Sequence, residues 1–257
     1  MSAIGARSTT SGRMMVGPAR LFHATGTRAA GHSARSDSRQ PRSPVWETLS
    51  GVTNCFEGIV DRFLLSGNEF GEKLRAIRPE QWCWPTPCSE WNVRQLVNHV
   101  TRGNLNYVGL VDGGTSAEFL RLRDADALGS DPAEAYTRSV RLCAEAFTRP
   151  GALRRILDYP LGRVTGEQAL AVRTTDNTVH TWDLARAIGT TDTLDTSLIS
   201  WIDHHLDEIY AGLPETPTAA DTTHRFFAAP EGTPEHDATQ QNRLLHRMGR
   251  NPNRIPF

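Results

Sequence analysis

The amino-acid sequence predicts an all-α protein, a four-helix bundle with an additional C-terminal helix. Three observations support this fold class: apolar residues recur at three- and four-residue spacing after Trp46, several segments open with helix-capping residues, and most end at glycine or proline. The 257 residues are 38% hydrophobic with a formal net charge of −1, which is enough apolar material for one core. Because no apolar run reaches the roughly 18 residues of a membrane span, we expect no membrane association.

The N-terminal 45 residues differ from the rest in composition. They hold seven arginines against a single acid, Asp37, and show neither helical nor strand periodicity. We expect residues 1–45 to be a disordered Arg/Ser-rich tail and residues 46–250 to form the bundle. A transit peptide, an over-long start of the reading frame, and non-specific contact with nucleic acid remain alternatives for the tail. The remaining chain is slightly acidic, and we expect no specific nucleic-acid partner.

The first two principal helices are predicted from their apolar spacing and their ends. The first spans residues 54–76 and is closed by Pro79. A loop with three tryptophans and two prolines follows over 81–91. The second helix opens at Asn92, with Gln95 as its capping-box partner, and runs to residue 111. Its inner stripe is Leu96, His99 or Val100, Gly103 and Tyr107.

The third and fourth principal helices have stronger start signals. Asp131 followed by Pro132 predicts a helix to residue 148, since the pair supplies a cap acceptor and a proline at the first helical position. Thr165 and Gln168 predict a capping box that opens the fourth helix, which continues to Ile188.

Shorter elements complete the predicted fold. A short hairpin is expected between residues 150 and 165, where turn residues surround an extended run. A fifth helix is predicted over 196–211, and a final helical piece over 240–248.

Ionisable residues interrupt the inward face of the fourth helix, which reads Ala169, Val172, Asp176, Val179, His180, Asp183 and Ala187. Because Asp176 and His180 are one helical turn apart, their side chains can converge on one point. Burying them without partners would cost roughly 1 to 3 kcal/mol each, and a metal ion would relieve that cost. This spacing is expected about once by chance in such a composition, so a simple hydrogen bond between them, or exposure to solvent, is the alternative.

His99 lies on the inner side of the second helix and is expected across the bundle from that pair. Two imidazoles and one carboxylate leave a fourth position open for water or substrate, as in catalytic zinc sites. The alternative is a core histidine that is bonded to a backbone carbonyl.

Other clusters are weaker candidates. His204 and Glu208, with neighbouring His205 and Asp207, also stand one turn apart, but the charge around them is typical of a solvated surface. Cys83 and Cys88 could bridge or bind metal, although four intervening residues fit no common zinc motif. We expect all four cysteines to be reduced thiols in the cytoplasm. The three tryptophans of the 81–91 loop either pack over the bundle end or line a ligand pocket.

Two segments resemble a known family. WPTPCSEWNVRQLVNHV at 84–100 and VHTWDLARAIG at 179–189 are similar to the metal-binding domain of mycothiol-dependent maleylpyruvate isomerase, a member of the DinB-like superfamily. The resemblance covers residues 52–250 and implies a DinB-like four-helix bundle. It also implies a divalent metal, zinc first and nickel or another ion as alternatives, held by His99, Asp176 and His180. The family carries glutamate at the acidic position, so Asp176 is a shorter ligand.

The resemblance further implies a function. Mycothiol or another low-molecular-weight thiol would be the cosubstrate, activated as a thiolate by the metal toward an electrophilic substrate in a transferase or isomerase reaction. Asp183 and Trp182 are implied to orient a histidine or shape the pocket. The alternative is a non-catalytic metal-binding bundle that binds a ligand or partner. A homodimer is compatible with either.

Overall fold

Four long helices form the core of the protein in its computed structural model, which describes residues 55–89, 91–213, 234 and 236–253. They are α1 (Ile59–Arg75), α2 (Val93–Val111), α4 (Pro132–Thr148) and α5 (Gly166–Ile188). α5 packs against α1 and α2, and α4 packs against the same two helices. The all-α bundle prediction is thereby confirmed. The predicted tail, 1–45, lies outside the described residues.

The helix ends follow local capping chemistry closely. The Asn92 side chain accepts a hydrogen bond from the Gln95 amide, and the Gln95 side chain accepts one from the Asn92 amide, which completes the predicted box. Asp131 caps α4 through the Glu134 amide. Gly189 ends α5 with φ 70°, in the left-handed region that glycine adopts without steric cost.

Two predictions about helix starts are corrected. α1 begins only at Ile59, because residues 55–58 form a turn that ends at Gly58 with φ 69°. The predicted box at the start of α5 is half made: Thr165 caps the Gln168 amide, but the Gln168 side chain instead donates to the carbonyls of Ile209 and Ala211.

The predicted fifth helix is two helices, α6 (Thr196–His204) and α7 (Leu206–Ile209), interrupted at His205 with φ −110°. After the interruption α7 packs against α5, whereas α6 packs against α8 (Gln240–Arg247). A helix the prediction missed, α3 (Ser116–Leu122), is too short to show periodicity, although the Thr115 and Glu118 capping box was a readable signal.

The expected hairpin pairs β1 (Ile156–Tyr159) with β2 (Gly162–Thr165), antiparallel, with Ile156 opposite Thr165. It precedes α5 and packs against it. Within the described residues, no helix combines the length and apolarity that a membrane crossing requires.

Helix α5 is the centre of the bundle and is buried on nearly every side, rather than along one stripe. Its buried threonines would be costly if their hydroxyls had no partners. Thr174, Thr178 and Thr181 each donate to the carbonyl four residues earlier, at 2.8 to 2.9 Å. These bonds allow a polar sequence to occupy the core.

Candidate metal centre

Helices α2 and α5 bring the three predicted donor residues together. One donor atom from each of His99, Asp176 and His180 lies within 4.8 Å of the others. His99 Nε2 is 3.6 Å from Asp176 Oδ2, and His180 Nε2 is 3.4 Å from Asp176 Oδ1. Donor atoms of a tetrahedral zinc site with bonds of about 2.0 to 2.1 Å lie about 3.3 Å apart. The donor types and their separations therefore fit a divalent cation.

The cluster is buried on one side and reachable on the other. The side chain of His180 is 3% exposed, whereas those of His99 and Asp176 are 21% and 18% exposed. Solvent and small ligands can thus approach from the side of His99 and Asp176. This arrangement suits a site that keeps one position for an exchangeable ligand.

Arg173 holds the carboxylate of Asp176 from within the bundle. Its Nη1 donates to Asp176 Oδ2 at 2.8 Å, and its other nitrogens donate to Asn104 Oδ1, the Val100 carbonyl and Asn177 Oδ1. The guanidinium is buried against Gly103, where an added Cβ would lie 2.2 Å from Nη1. Gly103 was predicted as part of the inner stripe of α2, and here it makes room for the arginine.

A second polar cluster surrounds the other ring nitrogen of His180. His180 Nδ1 lies 2.8 Å from Asp183 Oδ2. Arg250 donates to both oxygens of Asp183, from Nε at 3.1 Å and from Nη2 at 2.7 Å. Cys88 Sγ lies 3.2 Å from Asp183 Oδ2 and 3.1 Å from Arg250 Nη2. Asp183 therefore connects a candidate ligand to a buried cation from the C-terminal segment.

Trp91 covers the histidine pair from the tryptophan-rich loop. Its ring stacks on His99 with centroids 4.4 Å apart and lies 5.7 Å from the His180 ring. The loop is held by buried Thr86, whose hydroxyl donates to the carbonyls of Trp91 and Cys88. The loop thus lies at the candidate site through Trp91, while Trp84 is 39% exposed on the surface.

Burial and charge set the protonation of the donors. Burial lowers the pKa of His99 to about 4, so its imidazole is neutral at neutral pH and has a lone pair for a cation. Burial also opposes charge on His180, but the carboxylates of Asp176 and Asp183 outweigh it and raise its pKa well above the usual value. Burial raises the pKa of Asp176, yet His180 and Arg173 hold it well below its ordinary range. Asp176 is therefore a carboxylate, as a ligand must be.

The other predicted clusters do not form comparable sites. Two donor groups occur in the described part of the chain, and neither includes His204 or Glu208. The second group is Cys88, His180 and Asp183, but the Arg250 guanidinium lies against both the thiol and the carboxylate, where its charge opposes a cation. All four cysteines are free thiols, so Cys83 and Cys88 do not bridge.

Several residues of the site were not predicted. Arg173 precedes Asp176 by three residues, a spacing that could have indicated an ion pair on one helix face. The prediction that the loop tryptophans line a pocket included Trp91 as one of two alternatives, but nothing in the sequence indicated that Trp91 or Cys88 contacts His180. Arg250 is 67 residues from Asp183, and no local signal links the two.

Comparisons with known proteins agree with the family resemblance. Residues 63–185 match the model of the mycothiol maleylpyruvate isomerase N-terminal domain. Two uncharacterised proteins of Mycobacterium tuberculosis, from strains CDC 1551 / Oshkosh and ATCC 25618 / H37Rv, are each 33% identical over 129 residues. Each match covers 50% of this chain and 66% of the relative, just under two thirds. No solved structure matches the chain.

Proposed function

We propose that this protein holds a divalent cation, zinc by preference, between His99, Asp176 and His180. With that cation it would act as a thiol-dependent transferase or isomerase, using mycothiol or another low-molecular-weight thiol and an electrophilic substrate. The observation that carries the proposal is the convergence of two imidazoles and one carboxylate within 4.8 Å at a partly exposed face. A bound cation would supply Lewis acidity that lowers the pKa of a thiol.

The charges around the donors support a thiolate as the remaining ligand. Asp176 and Asp183 are negative, and each is paired with a buried arginine, Arg173 and Arg250. Because the charges of these two acids and two arginines sum to zero, the protein leaves the charge of a bound divalent cation uncompensated. The uncompensated charge favours an anion in the open position over neutral water. In a site with several carboxylates and no arginines, the protein would neutralise the cation, and the preference for an anionic ligand would be weaker.

The surrounding side chains would orient the donors and limit solvent. His99 is fixed between Asp176 and the ring of Trp91, and it remains neutral because burial lowers its pKa to about 4. Trp91 offers an apolar surface beside the exposed edge, against which the carbon skeleton of a substrate can pack. We place the reaction in the cytoplasm, where thiols remain reduced.

Metal content tests the binding half of the proposal. Protein purified without chelator is expected to contain about one zinc per chain, and His180→Ala is expected to lose it. His204→Ala is the matched control, because His204 belongs to neither donor group. Equal metal content in wild type and His180→Ala would contradict the proposed ligand set.

Thiol conjugation tests the catalytic half. Mycothiol and a chromogenic electrophile are mixed with the zinc-loaded protein, and the rate is compared with that of the chelator-treated and His180→Ala proteins. We expect a rate that chelator abolishes and added zinc restores. Bound zinc with no reaction across several thiols and electrophiles would favour the alternative, a metal-binding bundle that recognises a ligand or partner without turnover.

A further inference from the structure

The C-terminal segment delivers a buried arginine to the far side of the candidate metal centre. Helix α8 buries Leu244 and Leu245 completely, and Gly249, with φ 68°, reverses the chain after it. The Arg250 amide then donates to the Leu245 carbonyl at 2.9 Å. This turn directs the guanidinium into the bundle, where Arg250 is 9% exposed. Arg250 lies outside the segment that matches the family.

Each nitrogen of the guanidinium donates to at least one protein acceptor. Nε and Nη2 bond the two oxygens of Asp183, Nη2 also contacts Cys88 Sγ, and Nη1 donates to the Met248 carbonyl at 2.9 Å. An arginine engaged in this way is not arranged to bind a substrate. Its contacts point to a role in holding Asp183.

Asp183 in turn determines the orientation of His180. A carboxylate can only accept hydrogen bonds, so the 2.8 Å contact requires His180 Nδ1 to donate. A bound cation would therefore replace the proton on Nε2, the nitrogen that lies 3.4 Å from Asp176 Oδ1 and within 4.8 Å of the other two candidate donor atoms. Histidine ligands of metals are commonly oriented by an outer carboxylate in this way.

We infer that Arg250 is a positioning residue for the metal ligand His180, acting through Asp183. The inference rests on the proposed function, since it assigns a role toward the metal. The two bonds from Arg250 fix both oxygens of Asp183, and a fixed Asp183 keeps the proton on His180 Nδ1 and the ring in the plane that ligation needs. Metal affinity therefore depends on a residue that the family-matched segment does not contain.

The variants separate charge, geometry and packing. Asp183→Asn keeps the size of the side chain, but its amide nitrogen can donate to Nδ1 and favour the wrong tautomer. Arg250→Met removes both the positive charge and the two hydrogen bonds to Asp183. Arg250→Lys keeps the positive charge but not the paired hydrogen bonds of a guanidinium. Arg247→Met is the matched control: Arg247 is on the same C-terminal segment, its side chain is 44% exposed, and it pairs with Asp203 on α6.

Zinc affinity is measured on the full chain by competition with a chromogenic chelator, and the visible spectrum of the Co²⁺-substituted protein reports the coordination geometry. We expect zinc affinity to fall about 10- to 100-fold in Asp183→Asn and Arg250→Met, with an altered Co²⁺ spectrum. Arg250→Lys should recover part of the affinity, and Arg247→Met should match wild type. Far-ultraviolet circular dichroism checks folding. If Arg250→Met does not fold, the zinc affinities of Asp183→Asn and Arg250→Lys decide whether Arg250 positions His180.

The outcomes distinguish this inference from the function on which it rests. Wild-type protein that binds zinc, with unchanged affinity and Co²⁺ spectra in folded Asp183→Asn and Arg250→Lys, overturns the positioning role and leaves the proposed function intact. Equal losses in Arg247→Met and the Arg250 variants also overturn it, because they indicate a general effect of the segment. Wild-type protein that binds no zinc overturns both.

Discussion

Replacing Gly103 with alanine is expected to break the buried arginine network beneath the candidate metal centre. The added Cβ would lie 2.2 Å from Arg173 Nη1 and 2.8 Å from Cζ, against an ordinary contact of at least 3.4 Å. The guanidinium must therefore move by more than about 1 Å. Such a shift lengthens the 2.8 Å bond to Asp176 Oδ2 beyond hydrogen-bond range, and the buried arginine has no solvent to which it can turn.

The cost can be worked out from these contacts. Breaking a buried ion pair typically costs about 3 to 5 kcal/mol. Alanine recovers about 1 kcal/mol through its higher helix propensity. We therefore expect Gly103→Ala to lower the free energy of unfolding by about 2 to 4 kcal/mol, measured by urea denaturation of the metal-free protein. Zinc affinity should fall as well, because Asp176 loses its partner.

Helix α2 supplies its own control. Gly109 lies on the exposed side of the same helix, and an added Cβ there has no atom within 4 Å. Gly109→Ala should therefore stabilise the protein by up to about 1 kcal/mol. In an Arg173→Met background, Gly103→Ala should lose most of its cost, since the clashing group is gone. Equal stability of Gly103→Ala and Gly109→Ala in the otherwise wild-type chain would refute the reasoning.

Two further predictions concern other parts of the molecule. Burial raises the pKa of Glu69, which accepts from the Asp195 amide, so its contribution to stability is present below its unfolded pKa and is lost as pH rises through the folded one. In urea titrations from about pH 4 to about pH 7, Glu69→Gln should therefore gain stability relative to wild type, and a pH-independent difference would contradict this. Zinc added to metal-free protein should change tryptophan emission, because Trp91 stacks on a candidate ligand. Trp91→Phe should remove most of that change and exposed Trp84→Phe should not, and the opposite pattern would place the responding tryptophan elsewhere.

Helix positions were predictable where their causes are local. The ends of α2 and α4 depend on side chains within three residues of the cap, such as Asn92 and Gln95, and the sequence shows both partners. The interruption at His205 is different, because α6 and α7 separate to pack against different helices. Such a preference depends on distant surfaces that no capping residue encodes.

The residues of the candidate site also divide into those with a local sequence signal and those without one. Asp176 and His180 share a helix face by their spacing alone, and His99 was added by family resemblance and by its place on the inner side of α2. Trp91 and Arg250 could not be assigned, because their contacts with the donors join segments far apart in the chain. Their positions follow from how the loop and the C-terminal turn fold back on the bundle.

By itself, the sequence determined the all-α class, most helix ends and the shared face of the two candidate donors on α5, because hydrogen bonds and side-chain periodicity within one helix need only neighbouring residues. The tertiary structure alone decided that α5 is surrounded on nearly every side, that Gly103 admits Arg173, and that Arg250 reaches Asp183. These features are contacts between elements, and their energies exist only once the helices have packed.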